Sequence, residues 1–217
     1  MKKKSLILAL SAVAILAVTG CSSNNDSKKS PAATEFNGIF ADSPVNGITA
    51  TCGGKSYITG SNGIAGGFGP CPVGSSVVFT VGNVNLGTIS NADSDSDMIF
   101  TPQDLSAGNT QEGTNKIAAF LLSLDDDGDY QTTVNVTAAA IKALDTNITT
   151  SSSVLDITTD QIDSVIEEAK KEQPKMGDRV TPEEAETHMK ETEVKIETGT
   201  IAKPEQPKVD VPTGAAS

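Results

Sequence analysis

Tryptophan is missing from this sequence, aromatic residues make up 4% of it, and its 217 residues include a single histidine. So few aromatic side chains leave little material for a sugar-stacking groove or a base-stacking platform. Basic residues are also scarce, with 16 Lys and Arg against 28 Asp and Glu and a formal net charge of −12. Such a surface repels nucleic acid and anionic headgroups and draws cations or basic partners. Neither a Gly-x-Ser-x-Gly elbow nor a phosphate-cradling Gly-x-x-x-x-Gly-Lys loop occurs, and no Cys-x-x-Cys pair is present. One histidine and two cysteines expected to pair in a disulfide do not make a zinc set. His188 is expected to pack within a helix, because a catalytic triad also needs a positioned nucleophile and nothing marks one. No residue is assigned a catalytic role.

What the sequence does contain begins at its N-terminus. Lys2, Lys3 and Lys4 precede an apolar run from Leu6 to Val18, broken only by Ser11. That run is too short to span ~30 Å of hydrocarbon as a lasting helix and suits a signal-peptide core. It ends in Val18-Thr19-Gly20-Cys21, which resembles the lipobox of bacterial lipoprotein precursors. The resemblance implies cleavage before Cys21, lipid on its thiol and membrane attachment through that lipid. Two or three acyl chains hold a protein firmly where one does not. Ser22, standing where an aspartate favours inner-membrane retention, implies the outer membrane of a Gram-negative host, with the domain facing the periplasm or the cell surface. Loss of residues 1–20 removes three basic residues and no acidic one, leaving 13 against 28 and a formal charge of −15.

With Cys21 acylated, Cys52 and Cys71 remain as an even pair in an oxidising compartment and are expected to form a disulfide. Residues 21–35 are rich in Ser, Asn, Lys, Ala and Pro and read as a flexible tether. From residue 36 to about 90, short apolar stretches alternate with Gly, Asn and Ser. They are Gly38–Phe40, Gly47–Cys52, Ser56–Thr59, Ser76–Val81 and Val84–Ile89, and their spacing predicts a small antiparallel β-sandwich within 36–99. After residue 100 the period becomes helical. Thr101-Pro102-Gln103-Asp104 opens with a cap and a proline, and Ile117, Phe120, Leu121 and Leu124 follow at helical spacing. Thr137 is placed to cap a helix carrying Ile141 and Leu144. Ile162, Val165, Ile166 and Ala169 share another helical face, and Thr181-Pro182-Glu183-Glu184 completes a capping box. The expectation is an α+β chain, with a helical region over 100–195 packed on the sandwich and a disordered tail over 196–217.

Several pieces recur together in a group of bacterial lipoproteins whose module also precedes some secreted enzymes. They are Ala41-Asp42-Ser43-Pro44-Val45-Asn46-Gly47, Cys52, Val78-Phe79-Thr80-Val81-Gly82 with Leu86-Gly87, and Thr101-Pro102-Gln103-Asp104-Leu105. Asn115-Lys116-Ile117-Ala118, Leu121 to Gly128, and Glu184-Ala185 with His188 follow. The β part resembles transthyretin-like and carboxypeptidase-regulatory-like sandwiches, over about residues 38–192. The usual Thr-Asp-x-x-Gly turn stands here as Gly60-Ser61-Asn62-Gly63. This resemblance implies architecture and location, and no activity.

Two runs of alternating aspartates remain, Asp125, Asp127 and Asp129, and Asp93, Asp95 and Asp97. Alternating carboxylates can wrap a hard cation such as Ca²⁺, though an EF-hand loop needs Gly at its sixth position and Glu at its twelfth. Counted from Asp125 those positions are Tyr130 and Val136, and from Asp93 they are Met98 and Asp104. A solvated acidic turn is the competing reading for both runs. Asp145-Thr146-Asn147-Ile148-Thr149 also fits a bacterial N-glycosylation sequon. The function expected is that of a non-enzymatic lipoprotein acting in adhesion, partner binding or envelope assembly, with no cofactor; calcium at Asp125, Asp127 and Asp129 stands as an alternative. The alternatives are an accessory module of a secreted enzyme system and a strand-exchanging assembly subunit.

Overall fold

The computed structural model of the protein describes residues 33–208. The signal segment 1–20, Cys21, most of the tether and residues 209–217 lie outside the described residues. Among the described residues, ten strands run in chain order: β1 (Glu35–Phe40), β2 (Val45–Asn46), β3 (Thr49–Cys52), β4 (Lys55–Ile58), β5 (Gly67–Pro72), β6 (Val77–Val81), β7 (Val84–Ile89), β8 (Ile99–Phe100), β9 (Val134–Asn135) and β10 (Ser152–Ser153). Four helices follow or interleave with the last of them: α1 (Gln111–Leu122), α2 (Ala138–Asn147), α3 (Thr159–Lys170) and α4 (Pro182–Glu197). The fold is α+β with open sheets.

One sheet has the order β5-β1-β8 and a second the order β10-β7-β6-β3-β4, while β2 pairs with β9. The long pairings are antiparallel, and β8, β9 and β10 add two-residue parallel contacts. The β3–β4 hairpin turns through Gly53 and Gly54, both at positive φ, the backbone that a two-residue hairpin of this hand requires. β6 alternates as the period of two demands, with Val77, Phe79 and Val81 buried and Val78 and Thr80 turned outward.

The scarce aromatics are concentrated between the sheets. All six phenylalanines are buried. Phe79 of β6 meets Phe40 of β1 at 4.6 Å and Phe68 of β5 at 5.3 Å, and Phe68 meets Phe100 of β8 at 5.9 Å. These separations lie in the range where tilted and edge-on ring pairs attract. Gly38 leaves room for them, since a Cβ there would stand 2.5 Å from the Phe68 ring and 2.7 Å from that of Phe100. Cys52 of β3 and Cys71 of β5 join the two sheets by a disulfide with a Cα–Cα distance of 5.6 Å.

β5 was not among the strands expected from the sequence. Its Gly-Phe-Gly-Pro-Cys-Pro reads as a turn, yet it lies at a sheet edge, where proline's missing N–H costs no ladder bond. Thr101 and Asp104 form their capping box on a short 3-10 turn, and α1 starts later, where Thr110 accepts from the Gly113 N–H. Thr137, Thr158 and Thr181 cap the other three helices. α1 packs against α4 and α2 against α3, and their buried faces share one core with the strands.

Part of the segment expected as a tail lies against β1. Ile201 is buried with Ile39, Ala41 and Ile99. The ladder between β1 and β5 slips between Phe36 and Gly38, and the Gln206 amide serves the residue in that gap. It accepts from the Asn37 N–H at 3.0 Å and donates to the Asn37 carbonyl at 3.1 Å.

Replacing Cys52 and Cys71 by alanine is expected to lower the unfolding free energy by ~3 kcal/mol, the entropy of closing a loop of this length in the unfolded chain. Urea unfolding of the double variant measures it. An unchanged midpoint would show that the sheets hold without the staple.

Candidate functional site

Two clusters of ionisable side chains fall where the helices meet the sheets. The first grows from the tight turn Ala41-Asp42-Ser43-Pro44, closed by a bridge between Ala41 and Pro44. Ser43 sits at φ 49°, a left-handed conformation that costs a non-glycine residue energy and so needs local compensation. α4 and the segment before β9 provide it. The Ser43 N–H donates to Thr192 Oγ1 at 3.1 Å, and Ser43 Oγ donates to the Gln131 carbonyl at 3.2 Å. The turn is thereby driven under α4, with Asp42 and Ser43 both at 0% exposure.

His188 reaches this turn from α4. Its Nε2 lies 3.2 Å from Ser43 Oγ, 3.5 Å from Thr192 Oγ1 and 3.7 Å from Asp42 Oδ1, and Tyr130 stands edge-on to the ring at 5.1 Å. Ser, His and Asp have come together, but not in the wiring of a triad. A triad puts the nucleophile on one ring nitrogen and the carboxylate on the other. Here Ser43 and Asp42 both address Nε2, and the Asp42 carboxylate makes no hydrogen bond to Nδ1. Ser43 is also sealed from solvent. His188 is 3% exposed and packs from α4 onto the Asp42-Ser43 turn.

Asp42 is the group that sequence reasoning missed. Both of its oxygens are buried without a hydrogen-bond partner. Burial raises its pKa to about 8, against a smaller lowering by Lys195. Burial likewise holds the His188 pKa below its ordinary value, and Lys195 lowers it further. With the acid protonated and the imidazole neutral, the close approach is a contact between uncharged groups. Nothing in the sequence flags an aspartate in an exposed-looking Asp-Ser-Pro turn as buried.

The second cluster is the loop after α1. A carboxylate oxygen from each of Asp125, Asp126 and Asp127 lies within 4.8 Å of the other two. Asp125 is 1% exposed; its Oδ1 accepts from the Asn135 N–H at 2.8 Å, and its Oδ2 is buried without a partner. Burial, and then its meeting with the Asp127 carboxylate, raise the Asp125 pKa to about 6, while the Asn135 N–H lowers it. Of the residues read from the sequence, Asp125 and Asp127 come together. Asp129 is outside the trio and gives its backbone N–H to Asp127 Oδ1. Asp126 takes the third place, because a tight turn gathers consecutive side chains where an extended chain would have gathered alternate ones.

The other aspartate run is spent on the backbone. Asp93 accepts from the Gly74 N–H, Asp95 from that of Asp97 and Asp97 from that of Ile99, while Asp104 closes its capping box on Thr101. A cleft of 610 Å³ between α1, α3 and α4 has an apolar floor that includes Phe120, Ile157 and Ile162. Its cations are already engaged, Lys116 by the Leu155 carbonyl and Arg179 by Asp163. Asn147, the sequon residue, is exposed at the end of α2. No protein family, curated protein or solved structure matches this chain at a significant level.

A group protonated in the folded chain and ionised in the unfolded one destabilises the fold as pH rises between its two pKa values, here from 3.8 to about 8. His188 acts in the opposite sense, its contribution being lost as pH falls below its ordinary 6.5. Asp42→Asn is therefore expected to stabilise the protein by about 1–3 kcal/mol near pH 8, and by less near pH 4. Thermal melts of the variant and the parent across that range check it. An equal shift at every pH would mean that Asp42 carries the same charge in both states.

Proposed function

We propose that this chain is a non-enzymatic lipoprotein of the bacterial outer membrane, held by lipid on Cys21, whose domain works by binding. Adhesion, partner binding and envelope assembly are the roles this covers. The observation that carries the reading is the disulfide between Cys52 and Cys71, a bond that persists outside the cytoplasm and is rare within it. It agrees with the charged start, apolar run and lipobox-like Val18-Thr19-Gly20-Cys21 of the N-terminus. No helix among the described residues is long and apolar enough to cross a membrane.

The wiring of the buried cluster favours binding over catalysis, since Ser43 has neither a correctly oriented base nor access for substrate. Strand exchange has less support than partner binding. The outer strand β4 is four residues long and carries Lys55, features that discourage edge pairing.

Metabolic labelling with a fatty acid tests the anchor. Cys21→Ser is expected to lose the label and leave the membrane fraction. Label retained by that variant would overturn the lipoprotein reading.

A further inference from the structure

We infer that the loop Asp125–Gly128 is a Ca²⁺ site, in which the carboxylates of Asp125, Asp126 and Asp127 converge on one cation at the junction of α1 and β9. The proposal adds a ligand to the binding domain above, and does not depend on how that domain reaches the membrane.

Acidic residues near one another are common on a protein this acidic, and proximity alone would say little. Asp125 supplies the second observation. The residue is 1% exposed, and only one of its two carboxylate oxygens has a protein donor. Burying a carboxylate oxygen beside two more carboxylates, with no N–H to receive it, is unfavourable unless something positive comes to it. No basic side chain among the described residues is paired with the trio. The positive groups nearest in the chain are engaged elsewhere: Lys116 with the Leu155 carbonyl, and Lys142 with Glu172.

The run at Asp93 is an internal control. It has the same alternation, but there each aspartate receives a backbone N–H, and no buried oxygen is left over. The two runs are alike in sequence and differ in what their carboxylates face.

Chemistry selects the ion. An all-oxygen set of three carboxylates suits a hard cation, and Ca²⁺ tolerates the irregular geometry of a loop that completes its shell with water and carbonyls. Mg²⁺ demands an octahedron and sheds water reluctantly, so it fits less well. With three side-chain ligands, one of them exposed, affinity belongs in the ~10⁻⁴–10⁻³ M range of extracellular modules. The site also has a structural consequence. Asp125 holds Asn135 in β9, and β9 pairs with β2 immediately beyond the Asp42-Ser43 turn. A bound ion would tie the end of α1 to the sheet side of the domain.

Calorimetric titration of the chelator-treated full protein with Ca²⁺ tests this, alongside melting curves with and without about 10 mM Ca²⁺. The expected result is one site of millimolar or sub-millimolar affinity, a melting temperature raised by Ca²⁺, and a response to Mg²⁺ about tenfold weaker. Asp127→Asn, at an exposed position that does not endanger folding, is expected to weaken Ca²⁺ binding about tenfold. Asp125→Asn is expected to abolish it. Absence of binding heat together with unchanged melting would overturn the proposal, as would binding that survives intact in Asp127→Asn. Neither outcome would touch the fatty-acid labelling of Cys21.

Discussion

Five of the six phenylalanines, Phe36, Phe40, Phe68, Phe79 and Phe100, come from four strands and fill the space between two sheets. Everything else in the domain is arranged around that contact. Neither sheet is wide, and two of the three strands in the smaller sheet carry glycines that give no side chain to the core. The aromatic rings supply the buried area that those positions do not, and Gly38 exists as the gap into which two of them fit. The disulfide from Cys52 to Cys71 crosses the same interior and fixes the separation of the sheets at its edge. A chain with 4% aromatics that buries all six of its phenylalanines keeps only its two tyrosines for any stacking surface. Its composition and its core are two views of one constraint.

The helices join this core through polar hardware as well as apolar packing. The Asp42-Ser43 turn is pressed beneath α4 by hydrogen bonds to Thr192 and Gln131, and His188 covers it. Hydrogen bonds satisfy Ser43 and leave Asp42 unserved, so the carboxyl keeps its proton. An aspartate and a histidine brought together by folding can resemble a catalytic pair in composition alone. What separates the two cases is which nitrogen faces which partner, and whether solvent reaches the nucleophile. Here both considerations point to a joint between layers.

The acidic loop after α1 and the joint beneath α4 lie on one structural path. Asp125 reaches β9, β9 pairs with β2, and β2 follows the Asp42 turn. The C-terminal segment returns to β1, where Gln206 completes the hydrogen bonds of Asn37 at the slip in that strand. First strand and last described segment thus support each other, and the chain closes on itself without a long strand.

Much of the secondary structure was legible because local chemistry dictates it. Val77 to Val81 alternate as a half-buried strand must, and Thr137 and Thr181 cap helices through hydrogen bonds that span three residues. The pairing expected for Cys52 and Cys71 is present. β5 was hidden because Gly and Pro mark turns until an edge position makes them tolerable. β8, β9 and β10 were hidden because two-residue parallel pairings are created by distant chain segments and leave no period in the sequence. The site followed the same division. Alternating aspartates announced a cluster at Asp125 and another at Asp93, but only folding decided that the first keeps a buried oxygen without a donor while the second spends its carboxylates on backbone N–H groups. Sequence determined which residues carry charge and where chains turn. Tertiary structure alone decided what each charge faces, because burial and partnership depend on segments that meet from tens of residues away.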